Sequence, residues 1–485
     1  MTRVGRCWLG GPSLLGVFLL GAPAPAVAQA RLEVGWISLE PRLPPPNSLD
    51  APHGEGWPME GDRVHWVAHV LNRGPETVAG VPYSWSIDDG TSQRGTVDLP
   101  PGETTLWLSW SWTFDRHRVS LALLPSAEVG DPSPGDDSLE VFSDALSVGL
   151  GVEQDIYDWL LENDGPGIER FMQQHIAAWN EMLAGAVHTA TPDGVLDRIR
   201  LEEVQIHPAG RGPRFDDVST DLRWFFRKEP TDPRYLNRGM QARYRNDQTI
   251  VLHEMLHLRG LIDLYAYAVT HDGVTGSRVE IAENGHPIVG TKLMPDLTPS
   301  SAAVTVYRLP ADGLMGTRFF RGGNITEHSA FGLNRLAGRR TPQWFDENGN
   351  LISLGNVAWT EHYTNLIPER TDLRLLDQGG RRVANASVEI YLDQSQFTYQ
   401  NVFGPVPDRV LRTGLDGVVS LPEDLLAELP TWSTAPAKAM VMILGVKTSG
   451  ARGYPFLPVY DLNLLYFRGG GGPAEMELEV EMHTW

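Results

Sequence analysis

Residues 250–263 read IVLHEMLHLRGLID and bring together, within eleven positions, four side chains that can hold a metal or move a proton: His253, Glu254, His257 and Asp263. Positions four apart share one face of a helix, so His253 and His257 can aim both imidazoles at a single point. Neutral imidazole is a good zinc ligand. Glu254, beside the first of them, is turned away from coordination and toward the place of a metal-bound water. That division gives two ligands and a general base. Two ligands hold zinc weakly, and a catalytic site generally has three plus water. Gly260 provides for the third, because glycine takes the left-handed conformation that ends a helix and turns the chain sharply. Asp263 then swings back toward the imidazoles. His271, Asp272, Glu280 and Glu283 lie downstream as competing third ligands. Gly260 favours Asp263, since a longer helix leading to a distant glutamate has no need of a glycine there.

The bland alternative is a buried amphipathic helix whose histidines are incidental. Independent placement of 14 histidines in 485 residues gives His-Glu-X-X-His roughly 2% of the time. Requiring glycine and then His or Asp at the observed offsets lowers this by about another hundredfold, which favours the metal.

The surrounding sequence divides into parts that differ in periodicity. Residues 1–30 carry Arg3 and Arg6, the apolar run LLGVFLLGA and a small-residue end AVAQA, the layout of a cleaved export signal. Residues 31–151 alternate apolar and polar positions in short runs such as RVHWVAHVLNRG and TLWLSWSWTF, separated by Gly, Pro and Asp turns, which predicts a β-sandwich. Trp107, Trp110 and Trp112 are expected in core or inter-domain packing. From 152 to 340 the pattern predicts helices over 168–184, 249–258 and 326–337, the last capped by Thr326 and stopped by Gly338, with a strand at RIRLEEVQI. Residues 341–485 turn β again around Gly-rich turns. The fold expected is thus multidomain, with a central α/β (α+β) domain between two β-sandwich domains.

At the level of families, the N-terminal region resembles the immunoglobulin-like domains of secreted bacterial proteins, and the C-terminal region resembles prealbumin-like modules. HEMLHLRGLID resembles the metzincin zinc-binding signature, in the form with aspartate as third ligand. The resemblance spans about 167–338, and its strong part is eleven residues long. It implies a metzincin-like catalytic domain and zinc-dependent hydrolysis of peptide bonds in a cleft. It also implies a methionine turn beneath the metal, for which ADGLMGT offers Met315 and KLMPD offers Met294. Asp263 stands where the commoner pattern has histidine, Met315 lies about fifty residues past the motif, and no tyrosine directly follows it.

Composition limits the partners. The formal charge is −21, and loss of Arg3 and Arg6 makes it more negative. Nucleic acid and anionic membrane surfaces are therefore poor partners. Cys7 is the single cysteine and leaves with the export signal, so stability is expected from cores and bound metal instead of disulfides. The expectation is a secreted or cell-envelope zinc peptidase (Zn2+ cofactor; protein or peptide substrate; no nucleic acid; no membrane after signal removal). Two alternatives stand beside it: a surface adhesion protein with a structural or vestigial zinc site, and a zinc hydrolase of non-peptide substrates.

Overall fold

The computed structural model describes residues 32–43, 55–125, 137–163, 167–210, 220–226, 248–264, 277–281, 287–292, 303–305, 313–316, 324–341, 344–345, 351–352, 361–393, 406–422, 424–425 and 441–484. The export signal, Met294, His271, Asp272 and Glu283 lie outside them. Among the described residues no helix is long and apolar enough to cross a membrane. The chain is β-rich and multidomain.

Two antiparallel sheets form the N-terminal sandwich. One pairs Arg63–Asn72 with Leu32–Glu40 on one side and Gly102–Ser111 on the other. The second runs in the order Gly90–Leu99, Val78–Ile87, Arg118–Leu123, Ser138–Phe142. Trp66, Trp85, Val81 and Leu121 fill the space between them. Strand periodicity sets which tryptophans join this core: Leu106 and Leu108 point in, so Trp107 between them points out and is 50% exposed, whereas Trp112 is buried. The expectation of core packing is corrected for Trp107. The first strand is buried along almost its whole length because it is covered twice. Val34 and Ile37 enter the sandwich core, and Trp36 joins the neighbouring central core.

That central core is built on three parallel strands, Leu222–Phe226, Leu146–Glu153 and Ile199–His207, with Leu146–Glu153 in the middle. Every residue of the middle strand is buried, as expected where helices and neighbours cover both faces. This moves a boundary: the sandwich ends at Phe142, and the residues up to 151 assigned to it from sequence belong to the central sheet. Helices Gln154–Asn163 and Gly167–Ala184 make the crossover to Ile199–His207 that a parallel pair requires. The second of them buries Phe171, Met172, Ile176, Trp179 and Leu183, the apolar stripe read from the sequence. The motif helix, Gln248–His257, contacts the edge strand Leu222–Phe226. The helix Glu327–Arg335 is capped by Thr326, whose hydroxyl accepts from Ser329 N at 3.3 Å.

The C-terminal module is also a sandwich. Val418–Pro422, Arg370–Asp377 and Ala474–Val480 make one sheet; the other is centred on Ser387–Leu392 and Val441–Lys447. Leu375, Ile390, Leu444 and Val446 lie in its core. It also carries a helix not expected from its β-like sequence, Val459–Gly469. This helix has two apolar faces: Val459 and Leu462 enter the sandwich core, while Tyr460 and Phe467 enter the central core.

Candidate metal centre

The motif helix is anchored by Val251, Leu252, Met255 and Leu256, all buried, and leaves Glu254 exposed. Its end follows from Gly260, which has φ +77°. Gly260 N donates to His257 O at 2.9 Å and Leu261 N to Leu256 O at 3.3 Å, the paired bonds of a Schellman stop. A side chain at 260 would be strained in that conformation. Past this stop the chain doubles back and delivers Asp263.

The three expected ligands converge. Asp263 Oδ1 lies 3.1 Å from His253 Nε2 and 3.4 Å from His257 Nε2, and one ligand atom from each residue falls within 4.8 Å of the others. The opposite ring nitrogens are both committed. His253 Nδ1 donates to Leu314 O and His257 Nδ1 to Leu261 O, each at 2.7 Å. A carbonyl can only accept, so both protons sit on Nδ1, and in the neutral rings both Nε2 lone pairs face the Asp263 carboxylate. Acceptors turned on one another at this distance call for a cation between them, either protons on the rings or a metal ion. Burial alone would lower the His257 pKa. Asp263, the Leu261 carbonyl and Glu254 outweigh it and hold the ring above its ordinary value.

Met315 sits in the turn at residues 313–316, and its side chain is buried in the central core. The backbone of this turn is what touches the triad. Leu314 O fixes His253, and Met315 O accepts from Leu264 N at 2.7 Å, just past Asp263. Glu280, a competing ligand, lies in the strand Ser277–Ile281.

Two positioning groups have no part in the sequence reading. Arg259, before the glycine stop, is almost wholly buried. Its guanidinium donates to Asp197 Oδ2 (3.0 Å), Leu336 O (2.8 Å), Arg339 O (2.9 Å) and Thr341 Oγ1 (3.2 Å), so the turn is bolted to the helix Glu327–Arg335 and the chain beyond it. A lone arginine between a buried helix and a turn glycine was a legible cue, because it must be buried with partners. Tyr363 is the other: its hydroxyl oxygen accepts from Ile262 N at 3.2 Å. Burial, with the Asp263 carboxylate nearby, pushes this phenol well above its ordinary range, so it stays protonated. No local pattern marks a residue a hundred positions away.

Fold and site together define a β-rich, multidomain chain with a central His-His-Asp cluster able to hold a metal ion. No family model matches the chain, and no curated protein matches it. Among solved structures, a CARDB domain from Pyrococcus furiosus is 16% identical over 24% of this chain and 93% of its own, with a TM-score of 0.18. A domain of a putative cell surface protein from Methanosarcina acetivorans is 17% identical over 24% of this chain and 90% of its own, with a TM-score of 0.17. A calcium-binding mutant of Bacteroides uniformis β-glucuronidase 2 is 10% identical over 92% of this chain and 61% of its own, with a TM-score of 0.19. At such TM-scores these likenesses carry no argument about the site.

Proposed function

We propose that the protein is an exported, zinc-dependent peptidase. The observation that carries this reading is the pair of histidines whose Nδ1 atoms are held by carbonyls while both Nε2 atoms face Asp263. Donors at about 2.05 Å from a tetrahedral ion stand about 3.3 Å apart. The two separations from Asp263, 3.1 and 3.4 Å, suit neighbouring ligands of an ion of zinc's size, and all three ligand atoms lie within 4.8 Å of one another. Carbonyl anchoring of the distal nitrogens is the support that fixes tautomer and ring orientation for a metal ligand.

Zinc held there would supply an acidified water and a polarised scissile carbonyl. Glu254, exposed on the motif helix directly after His253, accepts a proton from the attacking water and delivers it to the leaving amine. Asp263 brings one negative charge to the ligand set and keeps the two rings in register.

The test is hydrolysis of casein or a peptide library, blocked by a chelator and restored by zinc. Glu254→Gln is expected to lower turnover by about 10² to 10⁴-fold while keeping stoichiometric metal, and His257→Ala to lose both. Full activity in Glu254→Gln would end the peptidase assignment.

A second reading, a cell-surface binding protein in which the triad holds a structural ion, is favoured by the two flanking sandwiches and by Trp107, half exposed on the outer face of one of them. The readings separate on Glu254. A structural ion has no use for an exposed carboxylate beside its ligands, so Glu254→Gln would then change neither metal content nor binding.

A further inference from the structure

The helix Glu361–Thr364, which leads into the C-terminal sandwich, reaches the turn of the triad through the Tyr363 phenol. The Tyr363 ring is buried against the helix Glu327–Arg335 at Gly332, where a Cβ would stand 3.1 Å from two ring carbons and 3.2 Å from Leu261 Cδ2. Its hydroxyl oxygen accepts from Ile262 N, the amide one residue before Asp263. From the other side the Tyr363 loop is gripped by Asn463 on the helix Val459–Gly469. Asn463 Nδ2 donates to Thr364 O at 2.9 Å and to Leu366 O at 2.8 Å. Its Oδ1 accepts from His328 Nε2 at 3.1 Å, and the His328 ring in turn stacks on Tyr460 and meets Tyr363 edge-on at 5.1 Å.

Asp263 lies beyond the end of its helix, so no helical hydrogen bonds fix its backbone. Two tethers flank it: Met315 O holds Leu264 on one side, and the Tyr363 hydroxyl holds Ile262 on the other. Ile262 is itself buried, and an amide there without its acceptor would be costly, so the chain would shift to find another. A carboxylate ligand displaced by a fraction of an ångström holds an ion less well.

We infer that Tyr363, locked in place by Asn463, is a positioning residue for Asp263, so that the C-terminal module is part of the metal site and sets its affinity. This rests on the metal reading above and is independent of the reaction performed. It predicts that a change in the C-terminal helix, far along the chain from the ligands, weakens metal binding without removing any ligand.

The experiment is zinc titration of the full chain in competition with a chromophoric chelator, together with the visible spectrum of the cobalt(II)-substituted protein. Tyr363→Phe keeps the ring and removes only the hydroxyl. It is expected to bind zinc about 10-fold more weakly or worse and to shift the cobalt ligand-field bands, while far-UV circular dichroism stays native. Asn463→Ala is expected to move both readouts in the same direction. Equal affinity and an unchanged cobalt spectrum in Tyr363→Phe, with wild type binding metal, would overturn the positioning role and leave the metal reading intact. Unchanged affinity in Asn463→Ala would do the same for the part assigned to the C-terminal module, and it decides the matter alone should Tyr363→Phe not fold. If the wild-type chain takes up no metal, the metal reading falls and this inference with it.

Discussion

The central core is joined to its two neighbours by seams of different chemistry. Toward the N-terminal sandwich, Trp36 and Leu71 enter the central core and the seam adds buried ion pairs. Arg73 donates to Glu169 at 2.6 Å, Glu33 at 3.2 Å and the Tyr157 hydroxyl at 2.7 Å. Arg42 pairs with Glu203 at 2.6 Å, and Glu202 accepts from Leu39 N at 2.8 Å. Toward the C-terminal sandwich the seam is aromatic and nearly neutral. Phe331 stacks on Phe467 with centroids 3.8 Å apart, and His328 stacks on Tyr460 at 4.7 Å. Among the described residues, the ion pair here is Arg468 with Glu327, and its arginine is about half exposed. Buried ion pairs orient elements while contributing little net stability, whereas apolar contact contributes free energy directly. The N-terminal sandwich is therefore held in register as well as packed, and the C-terminal one is fused mainly by apolar contact. Among the described residues, the fused seam reaches the turn of the metal triad through Tyr363.

The largest effect is expected from breaking the ionic seam. Glu33 and Glu169 are both buried and share the Arg73 guanidinium, so Arg73→Met takes that cation away from two carboxylates at once. Removing one partner of a buried ion cluster costs about 3–5 kcal/mol. Denaturant unfolding should show that loss. Zinc affinity of the folded variant should stay within about twofold of wild type, since among the described residues no contact runs from this cluster to the ligands. A large drop in affinity would mean that the N-terminal seam also shapes the site.

A somewhat smaller effect separates two titrating groups in the aromatic seam. Burial lowers the His328 pKa to about 4, against the Asn463 hydrogen bond. Its folded value lies below the unfolded one near 6.5, so the unfolded chain takes the proton first and stability falls as pH drops from 6.5 to 4. That shift is worth about 3 kcal/mol. Asp461 acts with the opposite sign. Burial raises it to about 6, against Arg468. The folded state then holds its proton more tightly than the unfolded state, and stability rises as pH drops through the same window. The two largely offset each other in wild type. Asp461→Asn should expose acid instability between pH 6.5 and 4, and His328→Gln should remove it. Thermal melts across that range check both, and matching slopes in the two variants would refute the assignment.

This contrast also marks how far the sequence could be read. Ligand spacing on a helix and a glycine at the turn are local properties, so His253, His257 and Asp263 were legible from eleven residues and meet within 4.8 Å. Strand alternation was likewise legible and placed the N-terminal sandwich. It failed at two points for different reasons. Leu146–Glu153 alternates Leu146, Val148, Leu150 and Val152 with Ser147, Gly149, Gly151 and Glu153, so its sequence reads as one more sandwich strand although every residue of it is buried. Val459–Gly469, apolar on two faces, carries no single stripe. A helix that touches two cores loses the one-sided pattern on which sequence reading depends, and a strand flanked by small residues keeps its alternation even when both faces are covered. The hydrogen bonds that orient the ligands were invisible because most are made by backbone carbonyls, which every residue has. Tyr363 was invisible because its partner, Ile262, is 101 residues away.

The smallest expected effect is also the sharpest test of the fused seam. Gly332 lies inside the helix Glu327–Arg335, where glycine is less favourable than alanine by roughly 1 kcal/mol. Gly332→Ala should therefore stabilise the helix in isolation. In the protein the new methyl meets the Tyr363 ring at 3.1 Å and Leu261 Cδ2 at 3.2 Å, so ring and turn must give by a few tenths of an ångström. Overpacking of this kind costs about 1–3 kcal/mol, which leaves a net loss of about 1 kcal/mol or a near balance. The displacement is directed at the phenol that holds Ile262 and at the residue whose carbonyl orients His257. Metal affinity should consequently fall by a few-fold even where unfolding measurements detect almost nothing. A variant that melts like wild type and binds zinc like wild type would show that the seam absorbs the methyl without passing the strain to the ligands.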